Sequence, residues 1–229
     1  MHREPASELA QRLHQALLEH YGVPEPKEQR DPLSELVVTI LSQNTSDTNT
    51  ARAYAELRRR FPVWEMVLQA PEEAVADAIR VGGLANVKAP RIKQILQELM
   101  EERGELSLAF LDDLETAKAR HYLESMHGVG PKTAACVLLF SLHKPAMPVD
   151  THVHRVAVRI GLVAKGTSAE KAHTLLEGLL PPEAYYPFHL NVIRHGRTIC
   201  HAARPACDAC PVTELCAYYA ARTQESTQA

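Results

Sequence analysis

At 229 residues the chain is long enough for one large domain or two small ones, with ample core either way. Apolar residues make up 45% and charged residues 23%, an ordinary globular balance, and the longest nearly unbroken apolar run, Ala134 to Phe140, is far too short to span a bilayer. A net charge of −3 does not advertise a nucleic-acid partner, yet it says nothing of where the charges sit, so it lowers that prior without closing the question.

The opening MHREPASELAQ lacks the apolar stretch of a secretory signal. A soluble, intracellular, cytoplasmic protein is expected, associated with the nucleoid if bacterial. Leu9, Leu13, Leu17 and Tyr21 then recur every four residues after Ser7, a candidate N-cap, and predict a helix that Gly22 and Pro24 stop. Asp31-Pro32 starts a second, with Leu33, Leu36, Val37, Ile40 and Leu41 on one face. Asp47 to Phe61 is a third, ended by Pro62. Pro71 opens a short fourth that Gly82-Gly83 stops, and Ile92, Ile95, Leu96 and Leu99 define a fifth closed by Gly104. Asp112 to Met126, Pro131 to Leu142, Glu170 to Leu180 and Tyr186 to Ile199 follow as further helices, and the chain closes on a short polar tail, RTQESTQA. No stretch alternates with period two and no Asn-Gly hairpin signal occurs, so the fold class is all-α.

Three segments carry chemistry. The first is the turn Met126-His127-Gly128-Val129-Gly130-Pro131-Lys132-Thr133 between the sixth and seventh predicted helices. Two glycines one residue apart allow a tight, open-backbone turn, Pro131 suits the first position of the next helix, and the N–H groups at that helix start can cradle a phosphate. Taken alone, Gly-x-Gly is more often an ordinary helix corner. Lys132 lies in the first turn of the helix, where the positive dipole end disfavours a protonated amine. Its bland reading is a solvated surface lysine. The second segment is Val149-Asp150-Thr151-His152. An aspartate before a helix is usually an N-cap, and a carboxylate there can also stabilise a developing cation or take a proton. His152 and Arg155 read as packing or helix-surface residues.

The third is Cys200-x6-Cys207-x2-Cys210-x5-Cys216; the fifth cysteine, Cys136, stands apart in an apolar stretch. Four thiols in so short a span of an intracellular chain point to a metal-bound loop rather than disulfides. Spacing alone leaves zinc and iron–sulfur open, although zinc ribbons usually bring two C-x2-C knuckles and here there is one.

Together the hairpin string, the VDTH aspartate and the cysteine spacing resemble the endonuclease III family of helix-hairpin-helix DNA glycosylases, over roughly Asp31 to Cys216. The resemblance implies a two-domain helical fold, with residues 26–143 carrying the hairpin and residues 1–25 plus 144–229 carrying a cluster loop at 200–216. Lys132 and Asp150 are expected to face each other across the cleft. In the family the lysine attacks the sugar C1′ and the Schiff base permits β-elimination; monofunctional relatives lack it. The four cysteines, Cys200, Cys207, Cys210 and Cys216, would hold a structural [4Fe–4S] cluster, with Arg204 and His201 the basic residues of that loop.

Further DNA contacts are implied at Gly128, Val129 and Gly130 of the hairpin. Leu41 to Asp47 resembles the loop that fills the gap behind a flipped base. The family's glutamine aligns with Asn44, with Gln43 adjacent, so either side chain can be the plug. Leu84 matches the family's wedge, although Gly82 replaces a usual branched residue and Ala85 a usual tyrosine; the same Gly-rich stretch also reads as a helix cap. Lys88, Arg91 and Lys93 add positive charge, Lys88 being the expected contact. The expected partner is double-stranded DNA carrying a damaged base or an abasic site, bound by a monomer. The expected preference is for oxidised pyrimidines over adenine opposite an oxidised guanine, because Lys132 is present and the chain ends 13 residues after Cys216, without room for a reader of the opposite strand. Two other readings stay open, an adenine-type mismatch glycosylase and a DNA-binding or redox-responsive cluster protein whose degenerate site only grips DNA. The presence of both Lys132 and Asp150 argues against such decay.

Overall fold

A computed structural model describes residues 5–26 and 29–227. Among these there is no strand; the order is α1 (Ala6–Tyr21), α2 (Pro32–Leu41), α3 (Asp47–Arg60), α4 (Trp64–Gln69), α5 (Glu72–Ala78), α6 (Ala85–Arg103), α7 (Thr116–Ser125), α8 (Pro131–Phe140), α9 (Thr151–Ile160), α10 (Ala169–Glu177), α11 (Tyr185–Thr198) and α12 (Ala217–Thr227), joined by turns and short 3-10 segments. The all-α expectation holds. The chain divides into two compact units, Met1–Lys27 with Pro145–Ala229, and Glu28–Lys144.

The Glu28–Lys144 unit is built around α2 and α8. Leu33, Leu36, Val37, Ile40 and Leu41 of α2 are at most 1% exposed, and Ala134 to Leu138 of α8 are similarly enclosed. Burying a leucine or isoleucine fully is worth roughly 1.5–3 kcal/mol, so this pair is the unit's main apolar support. Asp31 starts α2 as expected: its Oδ1 accepts the Ser34 N–H at 2.9 Å, with Pro32 at the first helical position. Helices α5 and α6 pack on each other, and Val75 of α5 and Ile92, Ile95 and Leu96 of α6 are buried. In the other unit α11 packs against α1 and α9, and Leu13, Leu17, Phe188, Val192, Val153 and Val156 form the core.

Several local expectations are corrected. Ser7 does not cap α1; the helix already includes Ala6, and Pro5 stands at its N-cap with no side-chain bond. The sixth predicted helix is two pieces, a 3-10 turn at Ala109–Asp113 and then α7, because Leu114 is extended at ψ 149°. α4 was not predicted. Nor was α12, whose last residues fall in the segment read as a polar tail. No described helix is long and apolar enough to cross a membrane.

Candidate functional site

The hairpin is formed by α7, the turn and α8. Met126 leaves α7 in an extended conformation and Gly128 turns the chain at φ 71°, a left-handed value that a side chain disfavours. A Cβ there would lie 2.5 Å from Arg91 Nε, so any larger residue would also displace the Arg91 side chain. Val129 points inward at 5% exposure and anchors the turn. Gly130 is the N-cap of α8, with no side-chain cap bond, and Pro131 occupies the first helical position. The first amides of a helix have no intrahelical acceptor, so this end presents N–H groups and a positive dipole end to an anion. Lys132 is the second residue of α8 and half-buried.

Two loops of the same unit bear the expected plug and wedge. Between α2 and α3, Gln43 is half-buried and its Oε1 accepts from Arg91 Nη1 at 2.9 Å. Asn44 is exposed and left-handed at φ 55°. Before α6, Leu84 is 52% exposed and also left-handed, at φ 51° and ψ 33°. The basic residues differ from expectation. Lys88 is only 2% exposed, with its Nζ donating to the carbonyls of Leu41 and Gly82 at 2.8 Å each. Its expected place as a surface DNA contact is therefore corrected: backbone carbonyls, not solvent, solvate this ammonium. Lys93 is likewise turned inward, onto the carbonyls of Leu68 and Ala70 that end α4.

Asp150 is the N-cap of α9, and its Oδ1 accepts the Val153 N–H at 2.7 Å. The capping reading thus holds. Lys132 belongs to the Glu28–Lys144 unit and Asp150 to the other.

The four C-terminal cysteines are brought together. They line one small cavity of about 20 Å³ with Val156, Arg159, His195 and Tyr218. Among the described residues, no three His, Cys, Asp or Glu side chains are gathered as a single-ion site. Polar nitrogens surround the sulfurs: Arg159 Nη1 donates to Cys200 Sγ at 3.2 Å and Arg222 Nη1 to Cys207 Sγ at 3.7 Å, and His195 Nε2 lies 3.8 Å from Cys210 Sγ. Burial, helped by the charge of His20, pushes the His195 imidazole down to about 4. Burial also pushes the Cys210 and Cys216 thiols up. Arg204 is exposed on the loop. Cys136 is buried in α8, within the Glu28–Lys144 unit.

The model of the HhH-GPD superfamily base excision DNA repair proteins matches residues 37–182. The chain belongs to this family of base excision repair DNA glycosylases. The match spans the plug loop, the wedge, the hairpin and Asp150, and stops short of the cysteine loop. Among HhH-GPD relatives, endonuclease III of Thermotoga maritima is 35% identical over 199 residues, 87% of this chain and 89% of that protein. An Arabidopsis thaliana protein named for DNA glycosylase activity is 41% identical over 170 residues, 74% of this chain and 58% of its own length. A trapped endonuclease III–DNA covalent intermediate superposes with a TM-score of 0.82 at 25% identity, covering 96% of this chain and all of that one.

The sequence reading missed several residues of the cysteine site. Arg155, taken as packing or surface, donates to the carbonyls of Cys200 at 3.0 Å and Gly196 at 2.8 Å. Arg159 holds the carbonyls of His201 and Ala202, at 2.7 Å each. Their i, i+4 spacing on α9, the helix that Asp150 caps, was the available signal. His195, five residues before Cys200, carried no signal of its own.

Proposed function

We propose that this HhH-GPD chain is a bifunctional DNA glycosylase and abasic-site lyase that removes oxidised pyrimidines. The observation that carries the reading is Lys132, one residue into the helix that follows the Gly128-Val129-Gly130 turn. The turn's backbone amides would grip a phosphate, and the adjacent amine would then lie within reach of a sugar extruded from the duplex. The neutral amine's lone pair forms a bond to C1′ as the N-glycosidic bond breaks, its electrons leaving with the base, which takes up a proton. Loss of a proton from the nitrogen and opening of the sugar give a Schiff base. Removal of a C2′ proton then expels the 3′ phosphate, and water releases Lys132. The Asp150 carboxylate would stabilise the cation developing at C1′ or take the proton from the attacking amine.

Cys200, Cys207, Cys210 and Cys216 would hold a [4Fe–4S] cluster. The donor set fits it: four thiols ring one cavity, and Arg159 and Arg222 place N–H groups toward two sulfurs, as anionic thiolates require. When bound, the cluster supplies iron–thiolate bonds that fix a loop with little apolar material of its own. The chain would act on double-stranded DNA as a monomer in the cytoplasm or nucleoid. Gln43 or Asn44 would fill the vacated base position, Leu84 would wedge the opposite strand, and Arg204 would approach a phosphate.

A side-by-side excision assay tests the substrate class, on duplexes containing thymine glycol, dihydrouracil, or adenine opposite 8-oxoguanine. The two pyrimidine lesions are expected to be released faster. Adenine release outpacing both would give the chain to the mismatch branch.

A further inference from the structure

Lys88 is enclosed, with 2% of its surface exposed. Lysines are almost never enclosed without a counter-charge. This one is held by two neutral carbonyls, Leu41 and Gly82, 47 and 6 residues away in sequence. Such an expensive arrangement persists only where those carbonyls must be kept together.

Their positions say what is tied. Leu41 is the last residue of α2, so its carbonyl opens the Gln43–Asn44 loop. Gly82 ends the 3-10 turn that precedes Gly83 and Leu84. Among the described residues only three non-glycines have positive φ, and two of them, Asn44 and Leu84, stand in these two loops. Leu84 is further fixed by the N–H groups of Val87 and Lys88, which bond its carbonyl at 3.0 and 2.9 Å. One helical step on, at i+3 of Lys88, Arg91 binds Gln43 Oε1 at 2.9 Å and lies against Gly128 of the hairpin turn.

We infer that Lys88 and Arg91 are positioning residues, a two-point brace on one face of α6 that fixes the plug loop, the wedge and the hairpin turn as one preformed DNA-reading surface. The inference rests on the proposed glycosylase reading for its function but not for its geometry. Preorganisation matters here because extruding a base requires plug and wedge to enter the stack together. A loop that must first find its conformation loses orientation, and a displacement of about 1 Å at such a site costs on the order of 10²-fold in rate.

The full-length protein carrying Lys88→Met, which keeps the side chain's bulk and removes its donors, is compared with wild type in two ways. In the free protein, amide hydrogen exchange is expected to quicken by about tenfold or more at both 42–46 and 82–84, with α11 exchanging as in wild type. In single-turnover base release, thymine glycol in a paired duplex is compared with the same lesion in a bulge, where the unstacking cost is already met. The paired-to-bulged rate ratio is expected to fall by about tenfold or more. Unchanged exchange at the two loops, or equal loss on both substrates, overturns the brace. Arg91→Met, at a half-buried position, keeps the test decisive if Lys88→Met does not fold: it should quicken exchange at 42–46 and lower the same ratio. Should wild type release thymine glycol from neither substrate, the glycosylase reading falls, while the exchange measurement still decides the brace.

Discussion

The Val153 N–H is satisfied by an Asp150 oxygen at 2.7 Å, so capping and the proposed chemistry meet in one carboxylate. Two substitutions separate them. Asparagine caps a helix about as well as aspartate, so Asp150→Asn should melt with wild type while base release slows by on the order of 10²-fold, the usual cost of removing one preorganised transition-state stabiliser. Asp150→Ala should show the same slowing and also lose about 1 kcal/mol of stability. Normal excision by Asp150→Asn, measured in single turnover, would leave Asp150 a cap and nothing more. The helix-start position of Lys132 and the cap at Asp150 were legible because each sits in a short string whose neighbours, Gly128-x-Gly130 and Val149-x-Thr151-His152, fix the backbone locally. Lys88 was not. Its environment consists of carbonyls brought in from α2 and from the turn before α6, and no local pattern distinguishes such a lysine from a solvated one.

Among the elements, α9 links the capping aspartate to the cysteine loop. It is capped by Asp150, and through Arg155 and Arg159 it holds the backbone of residues 196 and 200–202. Replacing Cys200, Cys207, Cys210 or Cys216 by serine should remove iron and sulfide from the purified protein and loosen this loop. Cys136→Ser, in the other unit, should retain both. Colourless wild-type protein with stoichiometric zinc would overturn the cluster.

Helix α3 is tied to α5 by a chain of ion pairs. Glu56 accepts from Arg59 and Arg60, and Arg60 and Arg80 bond Asp77. The two guanidinium partners hold the Glu56 carboxyl down to about 2, against 4.5 for a free one. A carboxylate depressed in the folded state stabilises above its unfolded value, and that contribution drains away as pH falls from about 4.5 to about 2. Wild type should therefore lose its melting advantage over Glu56→Gln across this window. The difference is small because the pair is exposed, and raised salt should erase it. Element prediction succeeded where caps and period agreed, as at Asp31-Pro32 and along α2. It missed α4, a six-residue helix whose last carbonyls are bonded by Lys93 from α6.

At the scale of the molecule, the family match makes the chain a base excision repair DNA glycosylase, and strand cleavage through Lys132 is the proposed second step. The proposed preference for oxidised pyrimidines rests on Lys132, which the resemblance ties to the bifunctional branch of the family. It depends on pocket fit and on how readily a damaged base unstacks. The fold class could be read from helical period and punctuation alone, whereas the convergence of four thiols on one cavity, and the brace beneath the two loops, required the tertiary structure. The most direct test is borohydride trapping on a duplex carrying an abasic site. Wild type should form a covalent protein–DNA adduct, and Lys132→Ala should form none while still binding the duplex, because the hairpin's backbone amides do most of the gripping. Trapping by Lys132→Ala at the wild-type level would place the nucleophile elsewhere and contradict the account.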